Sequence, residues 1–175
     1  MADLPPARHV LRAADADARQ PHGVVVLDYD ARFLRRKRLV TEGGEGFLVN
    51  LPETTSLEAH DRLELDDGRL IEVLPADEPL MIVTGPELSR YAWHIGNRHT
   101  PCQIEPARLL IREDHVLEAM LKHLGASVSR SIEPFAPEGG AYGMGRTMGH
   151  EHGHTHSMWG REPKGLELPA ALRAK

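Results

Sequence analysis

The chain has 175 residues, enough for one ordinary domain or two small ones; 41% are hydrophobic but only 5% aromatic, so its core is mainly aliphatic. A net charge of -5 argues against nucleic-acid binding by bulk positive charge, and no apolar run approaches the ~20 residues of a membrane span. The single cysteine, Cys102, excludes an intrachain disulfide framework, and the start has no signal-like pattern, so a soluble, cytoplasmic protein is expected.

Residues 1 to about 20 mix Ala, Asp, Arg and Pro without periodicity and read as a frayed leader; the alternative is a short strand at His9–Arg12. From Gly23 the pattern turns strand-like: Val24–Leu27, then Arg32–Val40, a turn at Thr41–Gly46, and a partner strand Phe47–Leu51 ending at Pro52. The basic run Arg35–Arg38 admits two readings, nucleic-acid contact or a charged face protecting a sheet edge. Leu63–Leu65 and Arg69–Leu74 flank Asp66-Asp67-Gly68, a strong hairpin signal because glycine tolerates the positive φ that such turns need. Residues 1–75 are therefore expected to form an all-β domain, with a compositional boundary at Pro75–Pro79.

The rhythm then changes. Leu80–Thr84 reads as a strand, and Gly85-Pro86 opens a helix whose apolar face is Leu88, Tyr91, Ala92 and Ile95. Thr100 precedes Pro101 and is pushed out of helical space, so the helix ends by about His99. Cys102–Ile104 and Arg108–Ile111 are strands. Asp114 is an N-cap for a helix to Leu124, with Val116, Leu117, Met120, Leu121 and Leu124 assigned to its buried side, and Gly125 ends it. Ser127–Ile132 is the last strand. The order β-α-β-β-α-β predicts a ferredoxin-like domain over 76–137, making the whole chain α+β. Residues 138–175, rich in Gly and polar residues, predict a disordered, His-rich tail.

Histidine carries the chemistry. Four of the eleven, His150, His152, His154 and His156, alternate with other residues in that tail. Neutral imidazole is a common ligand for divalent first-row metals, and a flexible chain can fold several rings around one ion. Nickel, copper(II), cobalt and zinc are all compatible with such a tract. In the body of the chain, five residues at ~100° each would put His94 and His99 about 140° apart on a helix, so they cannot chelate one ion from one face. His94 is read as a packing residue. His99 sits where the helix gives way, and a two-fold axis beside it would supply a second, symmetry-related imidazole. For His115, after the cap, ligand and solvated readings both stand. His123 is read as structural, and His9, His22 and His60 have no partner by pattern.

Three segments together resemble a known family. Trp93-His94-Ile95-Gly96-Asn97-Arg98-His99-Thr100-Pro101-Cys102-Gln103-Ile104 is similar to the H-L-G-N-R-H-x-P-x-Q-I signature of UreE, the urease accessory metallochaperone. So are Asp114–Leu121 followed by Leu124-Gly125, and Pro134–Tyr142, which matches the P-F-x-P-E-x-G-A-Y preceding that family's His-rich tail. The resemblance implies a homodimer with a partner-engaging N-terminal β domain. It implies nickel held between subunits by the residue matching His99, with His115 as a peripheral ligand in some members. It implies tail histidines that add capacity or take part in transfer to other urease accessory proteins and apo-urease. Glu113 stands where some members have a histidine, which weakens a peripheral site there. Two other functions are open: a protein that sequesters or senses metal, and a metal-dependent hydrolase. The latter lacks any H-E-x-x-H-type pair.

Overall fold

A computed structural model describes residues 3–15 and 18–139, and it contains two sheets. The first has six strands in the order β2-β6-β5-β1-β4-β3, formed by β1 (Ala7–Leu11), β2 (Gly23–Leu27), β3 (Phe33–Val40), β4 (Gly46–Ser56), β5 (Arg62–Leu65) and β6 (Leu70–Pro75). Neighbours run antiparallel except β1 with β4 and β2 with β6, which are parallel. Its inward residues, among them Val25, Phe47, Val49, Leu63, Ile71 and Val73, form one aliphatic cluster. The Asp66–Gly68 turn closes the β5–β6 hairpin as expected, with Gly68 at φ 85° and its N–H donating to Leu65 O at 2.8 Å.

Two expectations for this half need correction. The leader reading fails over Ala7–Leu11, where the alternative of a short strand holds: β1 lies between β5 and β4, and Ala7 is fully buried. What holds it is a long-range contact. The buried Asp61 carboxylate accepts from Arg12 Nη1 at 2.6 Å, Ala13 N at 3.0 Å and Glu58 N at 2.9 Å. A single turn of 3-10 helix, Ala13–Asp15, follows. Secondly, β4 does not stop at Pro52 but continues to Ser56. Leu34 pairs with Thr55 and Arg36 with Asn50, so Arg35 alone faces the four residues between, a bulge that includes Pro52. A proline is tolerated there because the ladder needs no donor from it. Leu34 and Leu39, five positions apart on β3, are both buried.

The chain passes to the second sheet through Ala76, whose N–H donates to Leu27 O at 2.9 Å. There β7 (Asp77–Thr84), α1 (Leu88–Gly96), β8 (Gln103–Ile104), β9 (Leu109–Arg112), α2 (His115–His123) and β10 (Ser127–Pro134) form an antiparallel sheet of order β10-β7-β9-β8. That is the ferredoxin-like arrangement. Met81, Val83, Leu109 and Ile111 face the helices and pack with Tyr91, Ile95, Leu117 and Leu121. The Asp114 carboxylate caps α2, accepting from Val116 N (2.8 Å) and Leu117 N (3.0 Å). Gly125, at φ 91°, ends α2 in a Schellman motif: its N–H reaches Lys122 O and that of Ala126 reaches Leu121 O. Val116 is not on the buried side as expected; it is 59% exposed. At the second position of α2 it lies a full residue turn away from the Leu117–Leu121 line.

The face of this sheet away from the helices is also apolar, with Leu80, Ile82 and Leu110 buried on it. Phe135, just after β10, covers it and packs edge-on against Tyr29 of the β2–β3 turn, ring centroids 5.5 Å apart. The buried Arg32 guanidinium donates to Phe135 O, and Tyr29 N–H donates to Glu78 Oε1 at 2.7 Å. Beyond Phe135 the chain runs toward β8: Ala136 N donates to Gln103 Oε1 (2.8 Å) and Glu138 N to Cys102 O (2.9 Å). Truncating Phe135 to alanine removes the ring that seals this face. Phe135→Ala is expected to lower unfolding free energy by about 3–5 kcal/mol, measured by urea titration.

Candidate metal site

α1 ends at Gly96, and Asn97, Arg98 and His99 close a turn behind it, with His99 N–H donating to Gly96 O at 2.9 Å. His99 adopts φ 55°, the left-handed region, where histidine is more often found than most non-glycine residues. This conformation reverses the chain at the helix end. The exposed imidazole stands with Thr100, Pro101, Arg112, Glu113 and Asp114 around an open cleft of about 380 Å³. His99 therefore occupies the helix terminus that the sequence reading gave it, beside the turn leading into α2.

The cleft is charged by neighbours the sequence reading did not associate with His99. Arg112 is drawn toward the first sheet, pairing with Asp30 at 2.7 Å and lying 5.5 Å from the Tyr29 ring centroid. Glu113 pairs with Arg130 at 3.0 Å, and Arg130 also holds Glu118 at 2.9 Å. These partners sit far apart in sequence, so only the fold joins them; the one local signal was the Asp114 cap.

His115 is exposed as the first residue of α2, next to Asp114. His94 is half-buried, with its ring edge-on to Trp93 at 4.9 Å, as a packing residue would be. His123, read as structural, is exposed in the last turn of α2. Two histidines without a partner by pattern have one in space: His22 lies 3.0 Å from Glu45, and His60 lies 2.9 Å from Glu72. His150, His152, His154 and His156, and the expected disorder of their tail, lie outside the described residues. Among the described residues no three His, Cys, Asp or Glu side chains gather closely enough to hold a metal ion.

Cys102 lies close in sequence to His99, yet its chemistry is withheld. Burial pushes its thiol up to about 12, and the Glu138 carboxylate adds to the effect. A thiol is a metal ligand only as thiolate, so at neutral pH Cys102 is a small apolar residue.

Comparison with known proteins places this architecture. The profile described as UreE urease accessory protein, N-terminal domain, matches residues 7–76, and the corresponding C-terminal domain matches residues 78–158. The chain belongs to the UreE urease accessory protein family. It is 65% identical over 132 residues to a urease accessory protein UreE of Rhodobacter capsulatus, covering 75% of this chain and 84% of that one. It is 58% identical over 153 residues to that of Ruegeria pomeroyi, covering 86% of this chain and 99% of the relative. With the relative from Cereibacter sphaeroides it shares 60% identity over 153 residues, 87% of this chain and 83% of that one. The N-terminal match begins at residue 7, where the sequence reading had placed a leader. The family is one of accessory proteins in urease maturation, not of enzymes. No helix among the described residues is long and apolar enough to cross a membrane.

The protonated Cys102 yields a direct check. In a calorimetric titration with a divalent metal ion, Cys102→Ser is expected to behave as the parent does. Native protein at pH 8 should resist iodoacetamide, while urea-unfolded protein is alkylated within the same interval.

Proposed function

We propose that this protein is a nickel carrier that donates its ion during urease metallocentre assembly, and that two chains share one ion between their His99 imidazoles. The supporting observation is the exposed His99 ring at the mouth of an open cleft, in a region where no complete ligand set gathers among the described residues of one chain. A site of this kind is completed from outside, by a symmetry-related chain and by ligands brought on a tether. Trp93, 64% exposed, and Val116 are the exposed large apolar side chains of the helical layer, and a paired chain would cover them.

The tail histidines fit the same reading. Glu138 is tied to Cys102, so the last described residues lie near the strand entry that follows His99. His150 is eleven residues beyond Gly139 in the sequence. His150, His152, His154 and His156 would then capture an ion and pass it to the His99 pair, with His115 as a peripheral ligand. In this scheme residues 76–137 hold the metal, residues 138–175 feed it, and residues 1–75 engage the other urease accessory proteins and apo-urease in the cytoplasm. Exposed imidazoles suit a carrier because delivery requires ligands that exchange. Zinc and copper(II) suit the same donors.

Nickel titration of the parent, of His99→Ala and of a chain ending at residue 148, with light scattering alongside, tests the assignment. The parent should bind its tightest ion at one per two chains. His99→Ala should lose that site, and the shortened chain should keep it while losing further ions. Equal tight binding by His99→Ala and parent would sink the shared site. In cells, deletion should abolish urease activity and excess nickel should restore it; delivery is wrong if activity survives in nickel-limited medium.

A further inference from the structure

The basic run Arg35–Arg38 plays no part in the metal chemistry. It lies on β3, one of the two edge strands of the six-stranded sheet, which pairs with β4 on one side; just past its end Glu42 N–H donates to Val24 O of β2 at 2.9 Å, so the open stretch is Phe33–Arg38. Such an edge leaves a row of backbone donors and acceptors open to another extended chain. Arg38 is neutralised locally by Asp3 at 2.6 Å. Arg35, Arg36 and Lys37 are exposed and form no ion pair among the described residues. Across the ladder Arg36 faces Asn50 and Lys37 faces Val49, so no carboxylate stands opposite either. Phe33 and Val40, at the two ends of the strand, are exposed apolar residues.

We propose that β3 is a docking edge for an acidic, extended segment of a partner protein, which adds to the sheet as a seventh strand. The inference rests on the reading of the N-terminal sheet as the partner-engaging half, and not on the metal site. The open backbone side supplies affinity for any extended chain; the side chains supply selection. Three uncompensated cations repel the β3 of a second copy, so the edge is closed to self-association. The same cations favour a strand carrying Asp or Glu at matching positions, with Phe33 and Val40 giving apolar contact at its ends. A nucleic acid fits less well, since it has no strand backbone to pair with and would meet a chain of net charge -5.

The test uses the metal-free full chain and a short labelled peptide alternating Glu and Val. A Lys–Val peptide and a single-stranded oligonucleotide serve as competitors, with hydrogen exchange as the readout of position. The Glu–Val peptide is expected to slow amide exchange on β3, and raised salt should weaken its binding about tenfold. The triple variant Arg35→Ser, Arg36→Ser, Lys37→Ser should weaken it similarly, and the single charge reversal Arg36→Glu should act in the same direction. Equal binding of the Lys–Val peptide, protection confined to other strands, tighter binding of the oligonucleotide, or full affinity in the variants would each overturn the proposal. Nickel titration of the same variants should match the parent. A failed docking edge would thus leave the carrier reading standing, and a failed His99 site would leave the edge standing.

Discussion

A four-stranded sheet with both helices on one side leaves its other side bare, and burying that side organises the molecule. Leu80, Ile82 and Leu110 form an apolar surface that water would otherwise meet. Two aromatic residues far apart in sequence cover it: Phe135 from just after β10, and Tyr29 from the β2–β3 turn. Closing this gap brings polar groups with it. Arg32 is buried and its guanidinium is directed to the Phe135 carbonyl, while Arg112 is held by Asp30 and the Tyr29 face. The two sheets are thus joined by an apolar seam with charge-assisted bonds at its border, where such bonds are stronger than in open water.

The seam also has consequences for the ligand cleft. Arg112 lines the space around His99, but its charge is engaged on the side of Asp30. A guanidinium free to swing over the imidazole would oppose any approaching cation by Coulomb repulsion. Phe135 likewise fixes the course of the chain after β10. Once the ring is seated, Ala136 and Glu138 are drawn to Gln103 and Cys102, at the opposite edge of the sheet from where β10 ended. The root of the C-terminal segment therefore comes to lie beside the strand that follows His99. Burial of one phenylalanine sets where the histidine-bearing segment begins.

Local chemistry was legible in the sequence and distant chemistry was not. The Asp-Gly hairpin, the Asp114 cap, the Gly125 stop and the α1 stripe each depend on residues within a few positions of one another, and each is found as read. His99 was placed at a helix terminus for the same reason: the proline two residues on restricts Thr100. Apart from the local phase of Val116 in α2, the misreadings involve partners far along the chain. β1 looked like a leader because Asp61, the carboxylate that anchors Arg12 and Ala13, is forty-eight residues beyond Ala13. β4 runs through Pro52 because it bulges there, four of its residues standing opposite Arg35 of β3. Arg112 and Glu113 join His99 only when β9 and α1 are packed on one sheet.

The left-handed turn at His99 stores little strain. A non-glycine residue in that region costs roughly 1–2 kcal/mol, which the helix-terminal bonds around it offset in part. In return the ring is presented outward, clear of the apolar face that Tyr91 and Ile95 bury. A catalytic metal site would require several ligands prearranged in one chain and shielded from solvent. The described part of this chain instead offers a single exposed imidazole over an open cleft and a thiol kept protonated by burial. On the carrier reading proposed above, affinity comes from bringing separate pieces together. On the same reading, separating the pieces again is the route to release.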